Sequence, residues 1–90
     1  MSPDDRVTMR DGVMFNRVGD EVVLLDLDSG TYFGLDAVGG RVWDLLTASA
    51  TIGEAIETML GEYDVEREVL QRDVLRLVEE LEEKGLITAS

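Results

Sequence analysis

Neither cysteine nor histidine occurs in these 90 residues. Without cysteine there is no disulfide framework and no thiolate nucleophile. Without histidine the chain lacks the commonest general base near neutral pH and the commonest metal ligand. Proline occurs once, at Pro3, and aromatic residues make up only 6% of the chain. Cations are scarce too: 8 Lys and Arg stand against 20 Asp and Glu, a net charge of −12. Such a field repels nucleic-acid phosphates and anionic membranes, and it favours neutral or basic partners. No apolar run approaches the roughly 18 residues of a spanning helix, and no charged-then-apolar signal opens the chain. A cytoplasmic protein is expected. Ser2, Ser29, Ser49 and Ser90 sit in turns or termini with no base to activate them. No phosphate-cradling glycine pattern follows a strand. Asp26, Asp28 and Asp36 match no calcium loop and read as turn and capping carboxylates. No cofactor is implied, and the chain reads as a binding protein rather than an enzyme.

What is present organises around Leu24–Leu46. Val22–Leu27 is rich in aliphatic and β-branched residues, as a strand requires. Asp28-Ser29-Gly30 is turn chemistry, and Thr31–Leu35 resumes with strand formers. Asp36 offers a carboxylate to the free N–H groups of a helix over Ala37–Thr47, where Val38, Val42, Leu45 and Leu46 recur at helical spacing. Gly39-Gly40 weakens that helix by about 1 kcal/mol per glycine. Two readings stand: close approach of another backbone, or a loosely wound first turn. Before this stretch, Met1–Arg6 is expected to fray. Val7–Met9 is either a short strand ahead of Asp11-Gly12 or an extended lead-in. Val13–Val18 is the first strand of a meander, with Val13 and Phe15 on one face. After it, Thr51-Ile52-Gly53-Glu54 has the form of a capping box opening a second helix to about Gly61. Asp64 is placed to cap a third helix over Val65–Lys84, with Leu70, Val74, Leu77, Val78 and Leu81 on one arc and Gly85 at its end. Leu86 and Ile87 then return to the core.

The expected class is α+β: a three-stranded antiparallel meander followed by three helices, winged-helix-like. Residues 1–12 form a flexible or short-strand lead-in, and residues 13–90 a single domain. Many winged helices bind DNA through a basic reading helix. Here the third helix carries Arg67, Arg72, Arg76 and Lys84 against Glu66, Glu68, Asp73, Glu79, Glu80, Glu82 and Glu83. Each phosphate contact needs a cation, so the sign is wrong for nucleic acid. Peptide capture is the stronger class. A terminal strand such as Thr31–Leu35 leaves unpaired N–H and C=O groups on which an extended peptide can add. The third helix would wall the groove, and Gly34 permits close approach of a visiting backbone. The same open edge would allow weak self-association.

The run from Leu25 to Asp36, followed by Gly39-Gly40-Arg-Val-Trp-Asp-Leu-Leu46, resembles the PqqD-like family, the RiPP precursor-peptide recognition elements. Tyr63-Asp-Val65, Arg72-Asp-Val74 and Glu83-Lys-Gly-Leu-Ile87 fit its C-terminal half, so the likeness covers roughly Val13–Ile87. It implies a winged-helix-like domain that captures the leader segment of a ribosomally made precursor as an added strand along Thr31–Leu35. The leader would then be delivered to a leader peptidase or another modifying enzyme. The free-standing length is similar to the leader-binding partner of lasso-peptide pathways. The alternative within the family is a PQQ-type chaperone presenting a peptide to a radical-SAM enzyme. On this reading Thr31, Tyr32, Phe33 and Gly34 pair with the leader, Leu35 and Trp43 belong to the core, and Leu35 also counts among the peptide-binding residues. On the third helix Leu77 lies on the central line. Val69, Asp73, Arg76 and Glu80 flank it on one side and Gln71, Leu75 and Val78 on the other. The pattern leaves both flanks open; the Val69–Asp73–Arg76 side is preferred because it offers an apolar and a polar contact.

Overall fold

A computed structural model of the chain describes residues 2–48 and 50–90; the expectations for Met1 and Ser49 lie outside the described residues. A short strand, β1 (Val7–Met9), precedes the meander of β2 (Val13–Val18), β3 (Glu21–Asp26) and β4 (Tyr32–Leu35). Helices α1 (Ala37–Thr47), α2 (Ile52–Glu62) and α3 (Arg67–Glu83) follow, and β5 (Ile87–Ala89) closes the chain. The class is α+β, with the antiparallel sheet β2-β3-β4 ahead of three helices. A second, two-stranded sheet joins the two ends of the chain, Val7 opposite Ala89 and Met9 opposite Ile87. That pairing settles Val7–Met9 as a strand. Its partner lies about eighty positions away, so no local pattern announces it.

Local chemistry sets the element boundaries. Between β3 and β4 the Asp26 carboxylate accepts from the Asp28 N–H at 3.0 Å and the Ser29 hydroxyl at 2.9 Å. Gly30 takes φ +74° there, a conformation that side chains resist. Asp36 caps α1 by accepting the Gly39 N–H at 2.8 Å. At Gly40 an added Cβ would meet the Asp20 carbonyl at 2.9 Å, so that glycine serves a close approach of α1 to the β2–β3 turn. The α3 C-terminus closes on Gly85 at φ +74°, with the Leu86 N–H donating to the Leu81 carbonyl at 3.0 Å.

Two boundaries differ from expectation. Helix α3 begins at Arg67 with Glu66 as N-cap and no side-chain cap bond, so Asp64 caps nothing. Tyr63 is instead the extended C-cap of α2, and the chain needs the next residues to turn into α3. The N-terminal segment, expected to fray, is hydrogen-bonded over its described residues 2–6. The carbonyls of Asp5 and Pro3 accept the Ile52 and Gly53 N–H groups at 2.9 and 2.8 Å, and Arg6 exchanges two backbone bonds with Ser90. The first N–H groups of any helix lack internal partners, and this segment supplies them for α2.

The core lies between the inner face of the meander and the helices. Val22 and Leu24 of β3 are fully buried, as are Met59, Val78 and Leu86, and Trp43 is 1% exposed. Arg41 ties α1 to α2 through a two-pronged pair with Glu62, at 2.8 and 2.6 Å. The Thr51–Glu54 capping box forms as expected. Its hydrogen bonds from the Thr51 backbone and hydroxyl hold the Glu54 carboxyl below its ordinary value. A lowered folded value means that the stabilisation is present above the unfolded value of about 4.3 and lost as pH falls through the folded one. Between about pH 5 and pH 3 the wild-type melting midpoint should therefore drop more steeply than that of Glu54→Gln. Parallel profiles from calorimetric melts would show that the box carries no such linkage.

Candidate functional site

Register along β3 and β4 decides which backbone groups are free. The pairs are Leu25–Tyr32, Leu24–Phe33, Val23–Gly34 and Val22–Leu35, and just beyond them the Asp26 N–H donates to the Thr31 carbonyl at 2.8 Å. Hydrogen-bonded and non-bonded pairs alternate in an antiparallel ladder. Phe33 and Leu35 therefore direct their N–H and C=O groups at β3, while Tyr32 and Gly34 direct theirs outward. No described strand lies beyond β4, so this margin is open. The N-terminal segment runs to α2 and β5 instead and does not seal it. At the other end of the sheet no described strand pairs with the β2 margin either, but α1 closes the inner side: Phe15 stands edge-on to Trp43 at 5.7 Å and Arg17 pairs with Asp44.

Against the open margin lies a cleft of about 350 Å³. Its walls are Phe33–Asp36 of β4 and the turn after it, Val38, Gly39 and Val42 of α1, and Leu70, Asp73, Val74 and Leu77 of α3. Leu35, Val42, Leu70 and Val74 are buried core residues whose outer surfaces form its floor. At one end the Lys84 ammonium lies over the Phe33 ring, 5.6 Å from its centroid. Among the described residues no ion pair engages Asp36 or Asp73. No three acidic side chains gather closely enough to hold a metal ion, again among the described residues. No described helix is long and apolar enough to cross a membrane.

Of the residues singled out in the sequence, Phe33, Gly34, Leu35, Asp73 and Leu77 come together in this cleft. Tyr32 belongs to the margin through its backbone, with its side chain 72% exposed on the outer sheet face. Thr31 sits in the turn, its carbonyl bonded to Asp26 and its N–H to the Ser29 hydroxyl oxygen at 3.2 Å. Neither Thr31 nor Phe33 thus presents backbone groups at the margin, a correction to pairing all four residues. Arg76 lines a separate hollow with Glu68, Gln71, Arg72, Leu75 and Glu79, and Val69 lines neither. Helical angles explain the split. At about 100° per residue Leu77 lies about 40° from Asp73 toward the core, while Arg76 lies about 60° from it the other way. The sequence reading missed Asp36, Val38, Gly39, Val42, Leu70 and Val74 as cleft residues, the last two having been read as core. Asp36 was legible as a cap and Val42 as core, but the crossing of α1 under the cleft has no sequence signal.

The fold recurs in known proteins. The solved structure of TbiB1 in complex with the TbiA(beta) leader peptide is similar at TM-score 0.83 with 42% identity, over 88% of this chain and 92% of that one. Lasso peptide synthetase B1 complexed with the leader peptide is similar at TM-score 0.86 with 26% identity, over 92% of this chain and 98% of that one. No curated protein sequence matches the chain. Residues 21–87, from the first residue of β3 to the first of β5, match the family described as Coenzyme PQQ synthesis protein D (PqqD). Fold, sequence and span agree: the chain belongs to the PqqD family.

Proposed function

We propose that this protein captures the leader segment of a ribosomally synthesised precursor peptide as an added strand on β4, and delivers it to a separate leader peptidase or modifying enzyme in the cytoplasm. The observation that carries this is the coincidence of an open strand margin with an apolar cleft on the same side of the sheet. Tyr32 and Gly34 offer the visitor four backbone groups at about 1 kcal/mol net each. Alternate side chains of an added strand point to opposite faces. Those opposite Phe33 and Leu35 would enter the cleft, and each buried apolar anchor contributes about 2 kcal/mol. Ordering a flexible segment takes back about 2–5 kcal/mol, which leaves a reversible complex. The role is binding without chemistry. A lasso-type pathway is favoured because one solved neighbour is a lasso peptide synthetase B1 with its leader peptide, and the other is also a leader-peptide complex. The family description supports the second reading, presentation of a peptide in PQQ synthesis.

The test uses the TbiA(beta) leader peptide, fluorescently labelled, and reads anisotropy. Gly34→Pro deletes an N–H that faces the visitor and that the sheet does not use. It should weaken binding at least about tenfold, the scale of a lost hydrogen bond together with a disturbed strand. Gly34→Ala should bind as wild type, since a Cβ there meets nothing within 4 Å. Equal affinity of Gly34→Pro and wild type would rule out strand addition, and no binding by wild type would remove the reading.

A further inference from the structure

The two ends of the cleft differ in charge. Asp36 follows directly on β4, and one of its oxygens is used on the Gly39 N–H. Asp73 faces it from α3 across the same cleft. At the Phe33 end the Lys84 ammonium lies over the ring. Asp73 and Lys84 are eleven residues apart, so they share one stripe of α3, about 20° apart in angle and about 16 Å apart along the axis. Leu77 and Glu80 lie between them on that stripe, Glu80 one turn before Lys84. An extended chain covers about 16 Å in about five residues, so one added strand spans both ends.

Resting on the strand-addition reading above, we infer that this charge difference selects the direction and register of the bound segment. The occupant is an extended peptide with a lysine or arginine flanking its cleft-facing apolar residues at the Asp36 and Asp73 end. The occupant carries no cation of its own at the Lys84 end. β4 runs from the Lys84 end toward Asp36, and every pairing in the sheet is antiparallel. In an antiparallel visitor the favoured cation is therefore N-terminal to the apolar residues. The net charge of −12 draws any basic segment to the protein. Only the local difference between the ends tells one orientation from the other.

The test sets two synthetic peptides of identical composition against the labelled TbiA(beta) leader. Both are acetylated and amidated alternating Val-Thr segments, one with its single lysine at the N-terminal flank and one at the C-terminal flank. The N-terminal isomer should displace the label at about fivefold lower concentration, the scale of one exposed ion pair. An Asp73→Lys, Lys84→Glu double variant should reverse that order, and Asp73→Asn should reduce the preference about twofold while leaving the fold intact. Equal displacement by the two isomers, no displacement by either, or an unreversed order in the double variant overturns the charge assignment. In each of these cases the label still binds wild type and the strand-addition reading stands. A label that fails to bind wild type removes both.

Discussion

Phe33→Asp is expected to weaken leader-peptide binding about a hundredfold, or about 2.7 kcal/mol. Phe33 lines the cleft at its Lys84 end, packs partly on the core, and faces the side that an added strand would cover. Removing its ring takes away about 2 kcal/mol of apolar contact with a visiting side chain. The new carboxylate would stand near Lys84 in place of an apolar wall, and desolvating it under an added strand costs further. Phe33 lies at the margin of the core, so the melting midpoint should fall by only a few degrees. The control is Val18→Asn on the outer sheet face, where Val18 is 60% exposed and touches no part of the cleft. Titration calorimetry with the TbiA(beta) leader should show the control unchanged. A Phe33→Asp protein that binds like wild type would move the site off this cleft.

The largest effect on stability should come from Trp43. Its side chain is 1% exposed in the middle of the core, with Phe15 edge-on to it. Trp43→Ala should cost about 3–5 kcal/mol, much of the total for a domain of this size. The variant should be largely unfolded near 40 °C, read by circular dichroism. Trp43→Phe should behave otherwise. The indole Nε1 is buried with no hydrogen-bond partner among the described residues. Phenylalanine would remove that unsatisfied donor while keeping most of the ring, so the expected loss is below about 1.5 kcal/mol. If Trp43→Phe is as damaging as Trp43→Ala, the indole makes a polar contact that these distances do not contain.

Much of the fold was legible because its causes are local. Asp36 and Thr51 cap helices where their side chains reach N–H groups three positions on. Gly85 ends α3 because the left-handed turn there resists a side chain. Leu70, Val74 and Leu81 fall on one helical arc and are buried together. The errors have equally physical causes. Asp64 has capping chemistry, but Tyr63 is the C-cap of α2 and three further residues, Asp64, Val65 and Glu66, precede the start of α3 at Arg67. Pro3 and the acidic residues around it look like a loose end, yet α2 has unpaired N–H groups and the nearest free carbonyls belong to that segment.

For the site, the sequence identified an open strand and a facing helix, and named Phe33, Gly34, Leu35, Asp73 and Leu77 among the residues that meet there. It placed Arg76 on the same flank as Asp73, because a helical wheel orders residues around an axis without saying where the neighbouring sheet cuts across it.

By itself the sequence determined the acidic charge, the absence of histidine and cysteine chemistry, the order of the three meander strands and three helices, and most of their ends. These follow from residue identity and from contacts within four positions along the chain. The tertiary structure alone decided that β1 pairs with β5, that α1 floors the cleft, and which backbone groups of β4 face outward. Each of those depends on register or crossing angle between distant segments, and such geometry is fixed only when the whole core packs at once.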